Sequence, residues 1–263
     1  MPRLPLSNHR PLRSQQRGVA LFVVIVFVML SMLLALWASR TSLFNEMVVG
    51  NDADYQRAFE AAQALLQDAE LDIRREFPDG NPCTAATCRD LVGAADKIPA
   101  DPAEVTPLLA SLDNQPTKCR TGLCTKRTGR QDFWNYTNAT NPPPPGLKPG
   151  EVKLEDMTQP TVGARYGQYT GAAQGSATVQ ANPILQWDAT TLPNQGGWYW
   201  IELLKYDDSQ GGPGVIIDPG RADILALNLT PNVAYRITAV AYGRKPNTMA
   251  VLQQTYVRQP RKN

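Results

Sequence analysis

Histidine is nearly absent from this chain, and its scarcity excludes several kinds of chemistry. Only His9, which lies before a long apolar run, is a histidine among the 263 residues. The chain after residue 18 therefore has no Ser-His-Asp or Cys-His arrangement and no histidine-ligated zinc. The pair Asp207–Asp208 stands in "KYDDSQGGPG", which is typical of a solvated turn rather than of an acid–base dyad. We predict that the protein is not an enzyme and has no metal or cofactor.

Acidic residues are absent from the first part of the chain, and its charges, which are all positive, predict the orientation of the chain in a membrane. Residues 19–38 contain no charge and one hydroxyl, and at 1.5 Å per residue they span about 30 Å, enough to cross a bilayer. The run is too long for a secretory signal, whose apolar core is about 7 to 15 residues. Trp37 stands where an interfacial aromatic is expected. Four arginines and no acid precede the run: Arg3, Arg10, Arg13 and Arg17. They predict a cytoplasmic N-terminus and an exported domain.

Cysteine is scarce, and its spacing indicates a structural role. The four cysteines form two pairs, each with four residues between them: Cys83 with Cys88 and Cys119 with Cys124. Four cysteines allow three connectivities, and outside the inner membrane the thiols are expected to be oxidised. The short loops favour two local disulfides. A zinc site made by all four thiolates is the alternative, but the four-residue spacing argues against it.

The net charge of +2 comes from the arginines at the start of the chain. If residues 1–18 are removed with their four arginines, 22 Lys and Arg remain against 24 Asp and Glu, so the net charge becomes −2. Bulk charge therefore does not indicate a nucleic-acid partner. The basic stretch "KCRTGLCTKRTGR" is more typical of a solvated loop than of a binding patch.

The helical pattern continues beyond the apolar run. Apolar residues recur every three or four positions, at Tyr55, Ala58, Phe59, Ala62, Leu65, Leu66, Ala69, Ile73 and Phe77. Polar residues, including Asp54 and Asp68, fall between them. The pattern predicts one helix over residues 19–76, ended by Pro78 and Gly80, with a weak point at Gly50–Asn51.

The pattern changes twice after that helix. Residues 78–160 are rich in proline and glycine and read as a connecting region with short helices at "RDLVGAAD" and "AEVTPLLASL". From residue 198 the period becomes two, which predicts about four antiparallel strands. The strands are expected in "GWYWIELLKY", "RADILALNL", "VAYRITAVAYG" and "MAVLQQTYVR". The sequence thus predicts an α+β fold, in which the long N-terminal helix packs against a C-terminal sheet.

Three stretches of this sequence resemble a known family. "QQRG" followed by "VALFVVIVFVML" resembles the processing site of type IV pilins, in which a basic residue and a glycine precede the apolar run. The segment "NEMVVGNDADYQRAFEAAQALLQDAE" resembles the "MAGN … AFQAAEAAL" type of segment in the PilX family of minor pilins. The ending "YRITAVAYGRKPNTMAVLQQTYVR" resembles the closing hairpin of the same family.

The resemblance implies an organisation for the chain. Residues 1–18 are the prepilin leader, residues 19–39 the transmembrane and filament-core helix, and residues 40–77 its amphipathic half. Residues 78–160 are the connecting region, and residues 161–263 the sheet part of the pilin domain. Prepilin peptidase is expected to cut after Gly18 and to methylate Val19, while Val19, Phe22, Val23 and Trp37 anchor the product in inner-membrane lipid.

The resemblance also implies a function. PilX-like minor pilins prime pilus assembly near the tip, together with other minor pilins, the major pilin and a PilY-type adhesin, and so serve twitching motility and adhesion. The domain would lie in the periplasm, anchored by a single pass, and later at the pilus tip on the cell surface.

Residue 23 departs from the pattern of major pilins. Major pilins carry a glutamate as the fifth residue of the mature chain, whereas this chain has Val23 and an uncharged span. A subunit without that carboxylate suits an end of the filament better than its repeating body. The rival interpretations are a K-type pseudopilin of type II secretion, whose span also lacks the glutamate, and a single-pass anchored periplasmic binding domain.

Overall fold

The computed structural model describes residues 17–84, 86–89, 97–127, 129–137, 151–175, 181–205 and 233–258. The chain forms two compact units, Met1–Gly50 and Asn51–Asn263. In the first unit the described residues are all helical. The second unit contains the sheet, the remaining helices and both hydrophobic clusters.

Helix α1, Arg17–Arg74, is the longest element. Residues 50 and 51 are helical, so the predicted weak point at Gly50–Asn51 does not interrupt the element. The helix ends at Arg74, before Pro78, because Arg75 adopts a left-handed conformation with φ of 60°. The N–H of Glu76 then donates to the carbonyl of Leu71 at 3.0 Å, and the N–H of Arg75 donates to Asp72 at 3.2 Å. These bonds form a Schellman cap, which usually carries glycine at the left-handed position.

The sheet has five strands in the order β1 to β5. They are β1 Cys119–Arg120, β2 Leu123–Cys124, β3 Gly197–Lys205, β4 Val233–Tyr242 and β5 Met249–Tyr256. Strands β3, β4 and β5 are antiparallel, with Tyr199 opposite Ala239 and Ala239 opposite Leu252. Strand β2 runs parallel to β3, with Leu123 opposite Ile201.

The α+β class is therefore confirmed, but the sheet differs in detail from the prediction. Three of the four predicted strands are present as β3, β4 and β5, while "RADILALNL" lies outside the described residues. Strands β1 and β2 were not predicted, because two residues are too few to show a period of two. The sheet is mixed because the β1–β2 hairpin, closed by the Cys119–Cys124 disulfide, adds beside β3 in the parallel direction.

Short helices cover the space around the sheet. Helix α2, Pro102–Asp113, contains the predicted "AEVTPLLASL" segment and begins with a capping box made by Asp101 and Glu104. A 3₁₀ turn, Phe133–Asn135, and the one-turn helix α3, Leu154–Met157, follow. The predicted helix "RDLVGAAD" lies outside the described residues except for Arg89.

The two faces of the sheet belong to separate hydrophobic clusters. The helix-side cluster contains Leu65 and Ile73 of α1 together with Tyr199, Ile201 and Ile237 of the sheet. The opposite face presents buried aromatic and aliphatic side chains to the segment that the sequence indicated as a connection. That outer cluster includes Trp198, Trp200, Val240, Phe133, Leu154 and Met157. The described residues of 119–137 and 151–157 therefore supply a second layer of the domain.

Candidate functional site

The first half of α1 is covered by no other described part of the chain. Every side chain described between residues 19 and 49 is exposed. By length and composition, this is the one described helix that can cross a membrane. An uncovered apolar surface of this size requires lipid or other apolar helices as its surroundings.

The side chains predicted to anchor the protein lie on this uncovered surface. Phe22 is 68% exposed and Trp37 is 70% exposed. Val19 and Val23 are exposed as well. Gly18, the predicted cleavage position, is helical and lies in the first turn of α1.

Two of the four hydroxyls in this half are satisfied within the helix. Ser31 Oγ donates to the carbonyl of Phe27 at 2.8 Å, and Thr41 Oγ1 donates to the carbonyl of Trp37 at 2.9 Å. A bond to the carbonyl four residues back satisfies a hydroxyl donor in an apolar environment. Ser31 is the one hydroxyl within residues 19–38, so this segment can lie in lipid or between helices without burying an unpaired hydroxyl.

The second half of α1 carries three buried carboxylates on one face. Asp54, Asp68 and Asp72 are each at most 3% exposed. Asp54 and Asp72 are five full turns apart at 3.6 residues per turn, so they point in the same direction, and Asp68 is one turn before Asp72. Each carboxylate binds a different segment of the domain. We call Asp54, Asp68 and Asp72 the carboxylate clamps.

Asp54 holds the turn between β4 and β5. Its oxygens accept the backbone N–H groups of Arg244 and Lys245, both at 2.9 Å. A Cβ at Gly243 would lie 2.3 Å from Asp54 Oδ2, so a residue with a side chain cannot replace that glycine without a shift. Burial raises the pKa of Asp54, but the hydrogen bonds from Lys245 and Arg244 outweigh it and bring the pKa below its ordinary value.

Asp72 is the centre of a buried ionic network. Arg89 Nε donates to Asp72 Oδ2 at 2.7 Å, and the Tyr199 hydroxyl donates to the same oxygen at 2.9 Å. The Arg89 guanidinium also stacks 3.6 Å from the centre of the Tyr169 ring. Burial lowers the pKa of Arg89, but Asp72 outweighs burial and raises it. The network joins α1 to strand β3 and to the segment after the first disulfide.

Asp68 binds the loop before residue 175. Its carboxylate accepts the Gly167 N–H at 2.7 Å and the Thr170 hydroxyl. Burial raises the pKa of Asp68 to about 7, although these two hydrogen bonds oppose the rise and the charge of Asp72 reinforces it. This clamp therefore holds its loop with a carboxyl group that titrates near neutral pH.

Sequence reasoning missed the clamps because it assigned Asp54 and Asp68 to the polar faces of the helix. The sequence did contain one signal for them, which is the spacing of Asp54 and Asp72. This spacing places both aspartates on the same side of α1 as the buried residues Ala58, Leu65 and Ala69. The same reasoning placed Tyr55 on the buried stripe, and this was wrong, because Tyr55 is 46% exposed.

Both predicted disulfides are present. Cys83–Cys88 joins residues after the end of α1, and Arg89 follows it directly. Cys119–Cys124 joins directly opposed residues of the β1–β2 hairpin. The first disulfide therefore adjoins the Asp72 clamp, and the second closes the hairpin that extends the sheet.

Several basic side chains of the stretch around the second disulfide have partners within the domain. Lys118 pairs with Asp113 at 2.9 Å, and Arg130 pairs with Asp132 at 2.6 Å. Arg127 is 5% exposed, and burial lowers its pKa although Glu202 opposes this. The interpretation as a solvated basic loop is therefore correct only in part, because Arg127 lies in the interior.

The described residues contain no group of three or more His, Cys, Asp and Glu side chains that could hold a metal ion. Asp207–Asp208, the carboxylate pair singled out in the sequence, lies outside the described residues. The residues that the structure brings together are those that attach α1 to the domain.

Comparison with protein families gives two matches. Residues 17–67 match the model described as PilX N-terminal, and residues 120–258 match the model described as type IV pilus assembly protein PilX C-term. The second match alone covers more than half of the 263 residues. No curated protein and no solved structure matches the chain. The N-terminal match contains residues 17–19 of the predicted cleavage site and Asp54, and the C-terminal match contains nearly all of the sheet.

Proposed function

The chain belongs to the PilX family of type IV pilus assembly proteins, and from this premise we propose that it primes pilus assembly near the filament tip. Family membership makes it a minor pilin of the type IV pilus, a structural and assembly protein rather than a known enzyme. Its activity is then association with other subunits through the apolar helix and the attached domain.

One observation carries the proposal: the first half of α1 is apolar, exposed and free of carboxylates. No acidic residue precedes Glu46. Before assembly, lipid covers this surface in the inner membrane, and afterwards the helices of neighbouring pilins cover it. Body subunits offer a carboxylate at the position of Val23 to the terminal amine of a neighbour. Because this chain has no such group, it fits the end of a filament and acts in few copies.

We assign the maturation step to residues 17–19. Prepilin peptidase cuts after Gly18, which leaves Val19 as a methylated N-terminus, and glycine at that position gives the protease an unhindered backbone. Gly18→Glu is expected to retain the leader and strand the protein in the membrane. The matched control is Gln16→Glu, which adds the same charge two residues earlier. Mass spectrometry of the N-terminus distinguishes the two, and an intact leader in assembled pili would refute the assignment.

The proposed partners are other minor pilins, the major pilin and a PilY-type tip adhesin. The domain is placed in the periplasm during storage, on a single membrane pass, and at the pilus tip after export. Twitching motility and adhesion then depend on the subunit through the number of pili.

The proposed position of this protein near the pilus tip is tested by counting surface pili and by locating the protein on them. A deletion strain is expected to lose most surface pili, and the few that remain should have normal mechanical strength. Immunogold labelling should place the protein at filament ends. Labelling along the whole shaft at stoichiometric density, or normal piliation in the deletion strain, would contradict priming.

A further inference from the structure

A polar cavity lies beside the turn that Asp54 holds. Its volume is about 320 Å³, and it lies between the segment 183–196 and the end of β4. The lining residues that matter here are Gln186, Thr191, Gln195, Gly196 and Arg244. None of the lining residues is acidic.

An exposed arginine stands at this cavity. Arg244 is one of its lining residues. Within the residues that the structure describes, Arg244 has no ion-pair partner. Its guanidinium is therefore available to a ligand.

A second guanidinium is buried behind the wall of the cavity. Arg165 is 5% exposed and stacks 3.6 Å from the centre of the Trp198 ring. Its Nη1 donates to the Gln195 carbonyl at 2.5 Å, and its Nη2 donates to the Leu192 carbonyl at 3.1 Å. Burial lowers the pKa of Arg165 to about 10, and among the described residues no carboxylate compensates its charge. Its positive field therefore acts through the thin wall formed by Gln195 and Gly196.

The carboxylates that contact these walls are already engaged. Asp54 accepts the N–H groups of the β4–β5 turn. Asp188 accepts the Thr190 hydroxyl at 2.6 Å and the Thr191 hydroxyl at 3.3 Å. Neither carboxylate pairs with the Arg244 guanidinium, so this cation at the cavity can pair with an added carboxylate.

We propose that this cavity binds an acidic side chain of a partner subunit, whose carboxylate pairs with the Arg244 guanidinium. Arginine binds a carboxylate through two parallel N–H bonds, and the side-chain amide of Gln186 supplies a further donor. The inference depends on the proposed function only in naming the partner as a pilus subunit. The cavity and its cations define the chemistry of the ligand.

A binding experiment on the full chain tests this directly. The protein in detergent micelles is labelled with ¹⁵N at its tryptophan indoles and titrated at low salt with acetyl-Gly-Glu-Gly-amide. The Trp198 indole is the reporter, because its ring stacks on Arg165 and its Nε1 donates to the Pro193 carbonyl at 2.8 Å. A saturable shift of that resonance is expected, whereas acetyl-Gly-Gln-Gly-amide should produce none.

Two charge-removing variants make the test specific. Arg244→Gln is expected to weaken binding of the glutamate peptide by about tenfold or more. Lys126→Gln, at an exposed lysine toward the opposite end of β3, is expected to leave the affinity unchanged. Equal weakening by both variants, an equal response to the glutamine peptide, or no response to the glutamate peptide would overturn the proposal. A response to inorganic phosphate without one to the glutamate peptide would overturn it too. Because pilus assembly is not measured, a negative result leaves the family function unaffected.

Discussion

The two halves of α1 differ in how they treat charge. Residues 19–45 contain no carboxylate, and their side chains meet no other described part of the chain. Residues 51–74 contain three carboxylates that are almost fully buried. One helix is therefore suited to two environments. The exposed apolar surface of its first half is suited to lipid or to other helices, whereas its second half is part of a folded domain.

The difference shows that a helix face can carry carboxylates even where it is buried. A carboxylate is tolerated in the second half because each clamp meets donors from the domain, as Asp72 meets Arg89 and Tyr199. The first half has no such donors within the chain. A carboxylate added to the first half would have no donor in the chain. Removing a clamp from the second half would leave the donors of the domain without their acceptor.

The largest effect is expected from removing the Asp72 clamp. Asp72→Ala leaves the Arg89 guanidinium buried without its counterion, which costs about 3 to 5 kcal/mol in the free energy of unfolding. Chemical denaturation of the full chain in detergent, followed by tryptophan fluorescence, measures the change. Asp52→Ala is the matched control, since Asp52 is an exposed carboxylate on the same helix; its effect should stay within about 0.5 kcal/mol.

The double variant Asp72→Leu with Arg89→Leu separates the ionic term from packing. Removing both charges should recover much of the lost stability, because no charge is then left unpaired. If Asp72→Ala and Asp52→Ala have the same small effect, the Asp72 clamp does not stabilise the domain.

The next effect is expected from adding a charge to the first half. Val23→Glu places a carboxylate on the exposed apolar surface and costs roughly 2.5 to 3.5 kcal/mol on insertion scales, less if the acid is protonated. Membrane storage or priming should be impaired, with no gain in assembly. Val23→Gln keeps the size of the side chain without the charge and should be impaired less. More pili in the Val23→Glu strain would show that a neighbouring amine is placed to meet the charge.

The helix, the α+β class and both disulfides were predictable because each leaves a local trace: an uninterrupted apolar run, a change of period, or a short cysteine spacing. The partners of the clamps were not, because an aspartate that binds Gly167 and Thr170, as Asp68 does, is indistinguishable by type from one that faces solvent. The second layer was hidden for a related reason. Phe133 and Met157 belong to segments too short for periodicity, and only the folded chain brings them to Trp200.

The two disulfides are expected to differ in how much they stabilise the domain, because only one of them adjoins a clamp. Each closes a loop of the same length, and the chain-entropy model gives on the order of 2 to 3 kcal/mol for each. We expect Cys83→Ser with Cys88→Ser to cost more than Cys119→Ser with Cys124→Ser, because Arg89 then loses its fixed position beside Asp72. Thermal unfolding of the two double variants measures the difference. Equal losses would indicate that the first disulfide does not support the Asp72 clamp.

The last expected effect is a pH dependence carried by Asp68, which appears as a slope rather than as a loss at one pH. Burial raises its pKa in the folded protein to about 7, whereas the unfolded chain has the ordinary value near 3.8. The folded state therefore holds the proton more tightly, and the contribution of Asp68 to stability is greatest below pH 4 and falls between pH 4 and 7. The slope for one proton is about 1.4 kcal/mol per pH unit.

The groups that share this site with Asp68 are Asp72, Arg89, Tyr166 and Tyr199. The pKa values of Arg89, Tyr166 and Tyr199 are raised from ordinary values that already lie above that window. Asp68→Asn keeps one oxygen to accept the Gly167 N–H, presents an amide N–H to the Thr170 oxygen in place of the second carboxylate oxygen, and cannot ionise. Its free energy of unfolding should therefore vary less between pH 4.5 and 7 than that of the unaltered protein. Asp52→Asn, an exposed control, should keep the original slope. If Asp68→Asn retains it too, another group carries the pH dependence and the Asp68 carboxylate is ionised in the folded protein throughout this range.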